Sequence, residues 1–400
     1  MIGVALLGST GSIGQNTLAV LAQHPERYRV VSLAARSDVQ RMALQCQRFR
    51  PEVVAMQSPQ AAAELEGLLG AAGLAVRVTA GADAIVELAR APAAGVVMAA
   101  ISGAAGLRST LAAAQAGKRL LLANKESAVM AGELLIAALR DGGGTLVPID
   151  SEHNAIFQCL PAGARIGERP PGLRRLLLTA SGGPFLDWPA AAVARATPEQ
   201  ACQHPRWQMG RKISVDSATL MNKGLELIEA QVLFGVPARD IAVLVHPQSI
   251  VHSLVEYEDG SSLAQLGSPD MRTPIAQALA WPARIASGVE FLDLAKAGPL
   301  DFRAPDRERF PCLALAEQAA RAGGVACTWL NAADEVAVQA FLDKQLNFGD
   351  IPAVIAEVMA HMPGGEMKDL DTVLATDQAA RASARAVLAA RLHRVDLVSA

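Results

Sequence analysis

The sequence has few cysteines and no cysteine-rich motif. Its five cysteines, at positions 46, 159, 202, 312 and 327, lie far apart and form no Cys-x-x-Cys pair. This spacing argues against a disulfide framework and a thiolate zinc site, and it favours a reducing compartment. The chain also lacks long runs of one charge sign, with 36 basic and 39 acidic residues and a net charge of -3. A small-molecule partner is therefore favoured over nucleic acid or a membrane surface.

The sequence also lacks a segment that is long and apolar enough to predict a membrane span. Residues 91–107 carry no charge, but this stretch is short for a bilayer and contains one proline and three glycines. A buried strand followed by a turn is the better interpretation. No basic or apolar leader precedes the first apolar run at Ile2, so we expect a cytoplasmic protein.

Apolar runs of strand length alternate with helix-length segments in the first part of the chain. A chain of 400 residues is long enough for two or three domains. The alternation predicts an α/β fold with a Rossmann-type, doubly wound parallel sheet whose strands are buried on both faces. We assign this domain to residues 1–150. Its predicted strands are 2–7, 30–34, 53–56, 76–79, 96–101, 119–123 and 145–148.

The rest of the chain predicts three further segments. Mixed strands and helices indicate an α+β catalytic domain at 151–285, in which the turn Asp259-Gly260 predicts an antiparallel hairpin. The proline-containing segment 286–311 indicates an extended linker, and helical periodicity over 312–400 predicts a C-terminal helical bundle. The predicted strands of the α+β domain are 175–179, 242–245, 250–257 and 262–266, and its long helix is 218–234. The predicted helices of the bundle are 313–322, 331–344, 351–361 and 376–392.

Three glycines follow the first predicted strand and precede a helical pattern. Gly8, Gly11 and Gly14 are spaced so that backbone amides can approach a pyrophosphate at the positive end of the helix. A dinucleotide site is the favoured interpretation, and a purely structural turn is the alternative. The second strand leads into Arg36 and Ser37, which suit the 2′-phosphate of NADPH better than the ribose hydroxyls of NADH. The alternative is that Arg36 is an ordinary surface residue.

Three carboxylates are candidate metal ligands. If the chain stays extended after the last strand of the first domain, Asp150 and Glu152 point to one side, since side chains alternate along a strand. Glu226 shares a helix face with Asn222 and Lys223 on the predicted helix that starts near residue 217. Carboxylates without clustered Cys or His select Mg²⁺ or Mn²⁺ over zinc. Ordinary solvated acids are the alternative.

Hydroxyl and amide groups suggest an anion site in the second domain. Ser181 opens a Ser-Gly-Gly turn after a strand, and with Ser217, Asn222 and Lys223 it could hold a phosphate. Residues 204–212 show no helix or strand periodicity, which suggests a flap over bound substrate.

Two further details concern the flap and the first domain. Gly210 is a candidate hinge of the flap, and ordinary packing is the alternative role for Trp207. Asn124, Lys125 and Glu126 follow the strand at 119–123, where ligands of parallel sheets bind, with a solvated loop as the alternative.

Together, the motifs at 8–14, 123–127, 148–157, 181–185, 204–212, 214–226 and 246–249 resemble those of the 1-deoxy-D-xylulose 5-phosphate reductoisomerase family over nearly the whole chain. The resemblance implies a homodimer that uses NADPH and a divalent cation, Mn²⁺ or Mg²⁺ with Co²⁺ as an alternative. The implied reaction rearranges and reduces this sugar phosphate to 2-C-methyl-D-erythritol 4-phosphate, in the non-mevalonate route to isoprenoids. Nucleic acid and membrane are not implied partners.

The resemblance also implies site residues, position by position. The implied metal ligands are Asp150, Glu152 and Glu226, which with Lys223 and His204 form the implied catalytic set. The implied substrate contacts are Lys125, Ser151, Glu152, Ser181, His204, Ser217, Asn222, Lys223, Glu226, Trp207 and Met209. The implied cofactor contacts are Thr10, Gly11, Ser12, Ile13, Asn124, Glu126 and Gly210, joined by Arg36 and Ser37. In the segment with Arg36 this chain departs from the Gly-Lys-Asn of many relatives, and the guanidinium of Arg36 can replace the charge of that lysine.

Two rival functions follow from the same residues. A different Rossmann dehydrogenase, acting on a phosphorylated sugar or an amino-acid semialdehyde, would not need three carboxylates and a flap. An NADPH-binding sensor without turnover would not need Lys223 beside the carboxylates. Metal chelation tests the first rival, and an NADPH-oxidation assay tests the second.

Overall fold

The computed structural model of the protein describes residues 1–204 and 210–399, with only the main chain from residue 392 onward. The strands are β1 (Ile2–Leu7), β2 (Tyr28–Ala35), β3 (Val53–Met56), β4 (Arg77–Ala80), β5 (Val96–Ala99), β6 (Arg119–Leu122), β7 (Thr145–Pro148), β8 (Leu173–Ala180), β9 (Ile241–Val245), β10 (Val251–Tyr257) and β11 (Ser262–Leu266). The helices are α1 (Ser12–Leu21), α2 (Val39–Phe49), α3 (Pro59–Ala71), α4 (Ala82–Arg90), α5 (Leu107–Gln115), α6 (Lys125–Gly142), α7 (Ser151–Cys159), α8 (Ala190–Val193), α9 (Pro198–Ala201), α10 (Arg211–Thr219), α11 (Met221–Phe234), α12 (Arg272–Ala280), α13 (Leu294–Ala297), α14 (Pro311–Ala322), α15 (Val325–Leu342), α16 (Ile351–Ala360) and α17 (Leu370–Ser399).

The chain divides into two compact units. The first comprises Met1–Ser127, Glu133–Gln158 and Asp270–Phe291, and the second comprises the remaining described residues. The four-segment division from the sequence stays a prediction. Across residues 1–204 and 210–399, none of the helices has both the length and the apolar character needed to cross a bilayer.

The first unit is built on a seven-stranded sheet. Its strand order is β4-β3-β2-β1-β5-β6-β7, and every neighbouring pair is parallel. Every residue of β3 and β5 is buried, and so is β1 from Val4 onward, which explains why these stretches are continuous apolar runs. The predicted parallel sheet is confirmed. The strand order reverses between β1 and β5, which is where ligands of such sheets bind.

One helix of the first unit comes from far along the chain. α12 contributes Ile275 and Leu279, both fully buried, to the same hydrophobic core as the strands β1 to β3. The Tyr28 hydroxyl on β2 donates a hydrogen bond of 3.1 Å to the carbonyl of Leu279. This helix is therefore part of the core of the first unit, although more than a hundred residues separate it from α7.

The second unit contains a four-stranded sheet and most of the C-terminal helices. The order is β11-β10-β8-β9, in which β8 and β9 are parallel and the other pairs antiparallel. The predicted hairpin turn is confirmed: Gly260 has φ 87°, and the Asp259 carboxylate accepts a 2.9 Å hydrogen bond from the Ser261 amide. Helices α14 to α17 confirm the predicted C-terminal helical pattern.

One predicted helix is confirmed over most of its length, but its predicted start is wrong. Residues 218–234 do not form a continuous helix, because Leu220 adopts a left-handed conformation (φ 60°, ψ 11°) between α10 and α11. The Thr219 hydroxyl stabilises this break by donating to the Asp216 carbonyl and accepting from the Met221 amide, at 3.1 and 3.2 Å. Ser217 therefore lies in the last turn of α10, not near the start of the long helix.

Candidate active-site residues

The glycine loop joins β1 to α1 in the first unit. Gly8 has φ 90°, and a Cβ on Gly14 would lie 2.4 Å from the Gly8 carbonyl oxygen, so both positions require glycine. A Cβ on Gly11 would lie 3.4 Å from the same oxygen, which is an ordinary contact. The second glycine is therefore not needed for internal packing, and its exposed backbone is open to a ligand.

Two residues that the sequence interpretation missed hold this loop in place. Arg41 Nη1 donates to the Thr10 carbonyl at 2.8 Å, and Gln45 Nε2 donates to the Ser9 carbonyl at 2.9 Å. Both donors lie four residues apart on one face of α2, a spacing that could have indicated a shared role. Both loop carbonyls therefore have hydrogen-bond partners. Helix α1 begins after Gly11, which has no side chain to cap the first backbone amides, and this end of the helix is exposed. Such an end favours an anion.

The end of β2 carries the predicted 2′-phosphate residues. Arg36 and Ser37 are exposed directly after the strand. The nearby Asp38 accepts a 3.1 Å hydrogen bond from the Arg41 amide as the cap of α2, and its carboxylate lies 3.6 Å from Arg41 Nε. This acid is therefore engaged with α2. The contact of Arg36 and Ser37 with a cofactor stays a prediction.

Charged side chains meet beyond the neighbouring strands β6 and β7. Lys125 is the first residue of α6, and its Nζ lies 2.8 Å from the Asp150 carboxylate. The two residues meet because the carboxyl ends of parallel strands share one sheet edge. The buried Asn124 side chain donates to the Ile101 and Gly103 carbonyls and accepts from the Ser127 amide. That side chain organises the loop, and its predicted cofactor contact, like that of Glu126, stays a prediction.

The extended conformation predicted for residues 150–152 is wrong. Helix α7 begins at Ser151, so Asp150 and Glu152 are not alternate positions of a strand. The Asn154 side chain donates to the Pro148 carbonyl at 2.9 Å. The backbone amide of Asn154 donates to the Asp150 carbonyl at 2.8 Å, and together these bonds close the turn into the helix. Glu152 lies in the first turn, where the helix dipole favours a carboxylate. The Ser151 hydroxyl donates to Glu152 Oε2 at 2.6 Å.

The Ser-Gly-Gly turn lies in the second unit, after β8. The Ser181 hydroxyl lies 2.8 Å from His204 Nε2 and accepts from the Gly183 amide at 3.1 Å. Burial lowers the pKa of His204 from 6.5 to about 4, so the imidazole is neutral at pH 7. A Cβ on Gly183 would lie 2.7 Å from the Ser217 carbonyl oxygen, so the last turn of α10 packs directly on this turn.

The first turns of α11 hold a buried carboxylate. Asn222 Nδ2 donates to Glu226 Oε1 at 2.5 Å, and Lys223 Nζ donates to Glu226 Oε2. Lys223 is 3% exposed and Glu226 is 1% exposed. The predicted shared helix face of these three residues is confirmed. An oriented carboxylate, together with the oxygen-only set of predicted ligands, fits a hard divalent cation such as Mg²⁺ or Mn²⁺.

The predicted flap lies only partly within the described residues. Trp207 and Met209 lie outside the described residues. Gly210 caps α10 with φ -60° and ψ 153°, a conformation open to any residue, and its predicted hinge and cofactor roles stay predictions.

Three family profiles match successive parts of the chain. They are "1-deoxy-D-xylulose 5-phosphate reductoisomerase" at residues 4–132, its C-terminal domain at 146–234, and "DXP reductoisomerase C-terminal domain" at 266–383. A reductoisomerase of this name from Cupriavidus metallidurans is 57% identical over 386 residues, covering 96% of this chain and 98% of that one. One from Ralstonia nicotianae is 54% identical over 393 residues, covering 98% and 99%.

Solved structures show the same similarity. A crystal structure of DOX-P reductoisomerase in complex with NADPH, fosmidomycin and magnesium has 48% identity and a TM-score of 0.91, covering 97% of this chain and 98% of that one. The reductoisomerase from Zymomonas mobilis, in complex with NADPH, has 47% identity and a TM-score of 0.89 over the same shares.

Proposed function

Since the chain belongs to the 1-deoxy-D-xylulose 5-phosphate reductoisomerase family, we propose that it catalyses the NADPH-dependent rearrangement and reduction of this sugar phosphate. The product is 2-C-methyl-D-erythritol 4-phosphate, an intermediate of isoprenoid synthesis by the non-mevalonate route. The observation that carries the proposal is the similarity over nearly the whole chain. It includes the glycine loop of the first unit and the buried Lys223–Glu226 pair of the second.

NADPH binds through the glycine loop in this proposal. Bound NADPH supplies the hydride for the reduction. The loop amides and the first turn of α1 hold the pyrophosphate, while Arg41 and Gln45 keep the loop carbonyls turned away from it. Arg36 and Ser37 hold the 2′-phosphate. The other proposed cofactor contacts are Thr10, Gly11, Ser12, Ile13, Asn124, Glu126 and Gly210.

Asp150, Glu152 and Glu226 are the proposed metal ligands. A bound Mn²⁺ or Mg²⁺ supplies Lewis-acid stabilisation of negative charge on the substrate oxygens. The protein's own part is to orient the ligands: Lys125 pairs with Asp150, Ser151 donates to Glu152, and Lys223 donates to Glu226. Residues that fix metal ligands in this way contribute strongly to affinity and activity.

The substrate phosphate is held by the second unit in this proposal. Ser181, Ser217, Asn222 and Lys223 offer hydroxyl, amide and ammonium donors. The neutral His204 lies beside the Ser181 hydroxyl and fixes its direction. Trp207 and Met209 are proposed to cover the bound substrate. A firmly held phosphate keeps the carbon fragments together while a carbon–carbon bond breaks and another forms, since orientation favours recombination over escape.

The test is the decay of NADPH absorbance with 1-deoxy-D-xylulose 5-phosphate, with and without EDTA, followed by addition of Mn²⁺. We expect decay that requires the substrate, stops with EDTA and returns with Mn²⁺. Decay that is insensitive to EDTA would favour a different Rossmann dehydrogenase. An absence of decay in folded, metal-supplied protein would contradict the proposal and favour an NADPH-binding sensor.

Two further properties belong to the proposal. The enzyme is cytoplasmic, and it is a homodimer, as the family resemblance implies. Light scattering after size-exclusion chromatography is expected to give twice the chain mass of 41.7 kDa. A mass of one chain at micromolar concentration would contradict the dimer while leaving the proposed reaction intact.

A further inference from the structure

A buried cluster of charged residues in the second unit has no part in the mechanism above. Lys212 Nζ, in the first turn of α10, lies 2.7 Å from the Asp216 carboxylate and 3.1 Å from the Asp334 carboxylate on α15. The Asp216 and Asp334 side chains are 2% and 0% exposed, whereas Lys212 is 28% exposed. Two buried carboxylates this close to one ammonium are costly unless the contacts are maintained.

The charges depend on one another. Burial raises the pKa of Asp334, and the neighbouring Lys212 ammonium opposes that rise. Burial raises the pKa of the Cys312 thiol on α14, the Asp334 carboxylate raises it further, and a hydrogen bond between Cys312 and Thr219 opposes that rise. Three helices, α10, α14 and α15, therefore meet at this cluster. Removing the Lys212 ammonium would leave both carboxylates buried without their counter-charge.

The cluster lies at the helix that carries the phosphate residues. Asp216 directly precedes Ser217, and its carbonyl accepts the Thr219 hydrogen bond that stabilises the break at Leu220. The Ser217 carbonyl packs against the backbone of Gly183 in the Ser-Gly-Gly turn. A shift of α10 along α15 would therefore move the Ser217 hydroxyl relative to the Ser181 turn, and it would also move the start of α11.

We propose that Lys212, Asp216 and Asp334 form a positioning cluster that ties α10 to α15 and so sets the geometry of the substrate's phosphate site. This inference rests on the proposed function, because it names the role of residues behind the same phosphate site. The helix α15 thereby acquires a function beyond packing. Lys212 acts through Asp216 and α10, and it is a positioning residue.

The test compares Lys212→Met with Glu335→Gln. Glu335 neighbours Asp334 on α15 and pairs with Arg381 of α17 at 2.5 Å, so this control breaks an ion pair of the same helix away from α10. We expect Lys212→Met to raise the KM for 1-deoxy-D-xylulose 5-phosphate about ten- to a hundredfold, as a misplaced binding group does. The dissociation constant for NADPH should stay within about twofold. Glu335→Gln removes a charge that raises the pKa of Asp334 but leaves the contacts of Lys212 in place, so it should not raise KM or weaken NADPH binding.

Two variants keep the test decisive if Lys212→Met does not fold. Lys212→Arg retains the charge and should keep most of the affinity, whereas Asp334→Asn retains the shape and should raise the same KM. Equal effects of Lys212→Met and Glu335→Gln on KM would overturn the proposal. A loss of NADPH affinity in Lys212→Met as large as its rise in KM would also overturn it.

An independent measurement separates this inference from the proposed reaction. Inorganic phosphate should raise the Tm of the wild-type protein, and Lys212→Met or Asp334→Asn should reduce that rise whether or not the sugar phosphate is turned over. A wild-type chain that binds phosphate in this way but does not oxidise NADPH would contradict the reaction and leave the cluster supported. An unchanged phosphate effect in folded variants would contradict the cluster alone.

Discussion

Two glycines of the loop after β1, Gly11 and Gly14, should respond to alanine substitution in different ways. Gly14→Ala places a methyl group 2.4 Å from the Gly8 carbonyl oxygen and 2.5 Å from the Ser9 carbonyl carbon. These neighbours are backbone atoms, so the loop itself must move by about 1 Å to reach an ordinary contact distance. Gly11→Ala meets nothing closer than 3.4 Å, and its φ of -75° suits any residue.

The expected magnitudes follow from these contacts. Overpacking by one methyl group should lower the free energy of unfolding by about 1–3 kcal/mol in Gly14→Ala, a Tm decrease of roughly 2–10 °C. The same shift displaces the loop amides, so NADPH should bind about tenfold more weakly or worse, which corresponds to about 1.4 kcal/mol. Gly11→Ala should keep the wild-type Tm and still lose affinity, because its methyl group occupies the approach of the pyrophosphate.

A third substitution supplies the control. Gly67 lies in α3, and a Cβ there would meet nothing within 4 Å. Gly67→Ala should therefore raise the free energy of unfolding by about 0.5–1 kcal/mol through helix propensity, with no effect on NADPH.

Calorimetric titration measures the NADPH affinity of the wild-type protein and the three variants, and thermal unfolding scans measure their Tm. Wild-type NADPH affinity in Gly11→Ala would refute the assignment of the loop as the pyrophosphate site. An unchanged Tm in Gly14→Ala would refute the packing argument.

Three further results are expected. Asp150→Asn should lower kcat by about 10²–10³-fold with NADPH affinity preserved, measured by absorbance decay and titration; a kcat within twofold would remove Asp150 from the metal ligands. Lys223→Met should lower the free energy of unfolding by about 3–5 kcal/mol in urea, because Glu226 loses its buried ammonium partner; an unchanged midpoint would contradict this. The pKa of His204 is about 4 in the folded protein and 6.5 in the unfolded chain. As pH falls between these values, the unfolded chain binds a proton that the folded protein does not, so the free energy of unfolding declines across this window. His204→Gln should flatten that decline, and an unaltered pH profile would show that other groups cause it.

Local patterns predicted the parts of the fold that depend on burial alone. β1 and β3 begin and end where the apolar runs do, because strands covered on both faces exclude polar residues along their length. The turn Asp259-Gly260 could be predicted because glycine readily adopts a positive φ and an aspartate side chain readily accepts a hydrogen bond from a nearby backbone amide.

The parts that depend on single hydrogen bonds could not be predicted in this way. Leu220 fits the apolar face of a continuous helix, and only the Thr219 hydroxyl shows that the backbone reverses there. In the same way, Asn154 determines that α7 starts at once after Asp150. Periodicity records which side of an element is buried, and it does not record where a side chain replaces a backbone hydrogen bond.

The same contrast holds for the candidate site. Asn222, Lys223 and Glu226 interact as their helical spacing predicted, since residues three and four apart are neighbours in any helix. Arg41 and Gln45 were missed because their partners lie 31 and 36 residues earlier, in a loop whose conformation the sequence does not show.

The late position of α12 has a consequence for synthesis on the ribosome. Ile275 and Leu279 complete a core whose strands end with β7 at Pro148, and the segment Asp270–Phe291 is made only after about half of the second unit has been translated. At about 5–20 residues per second, the first unit remains without α12 for roughly 6–26 seconds after Asp150 is added. A nascent chain stalled near residue 160 should therefore be far more sensitive to protease than one stalled beyond residue 330, because α12 has left the exit tunnel in the longer chain.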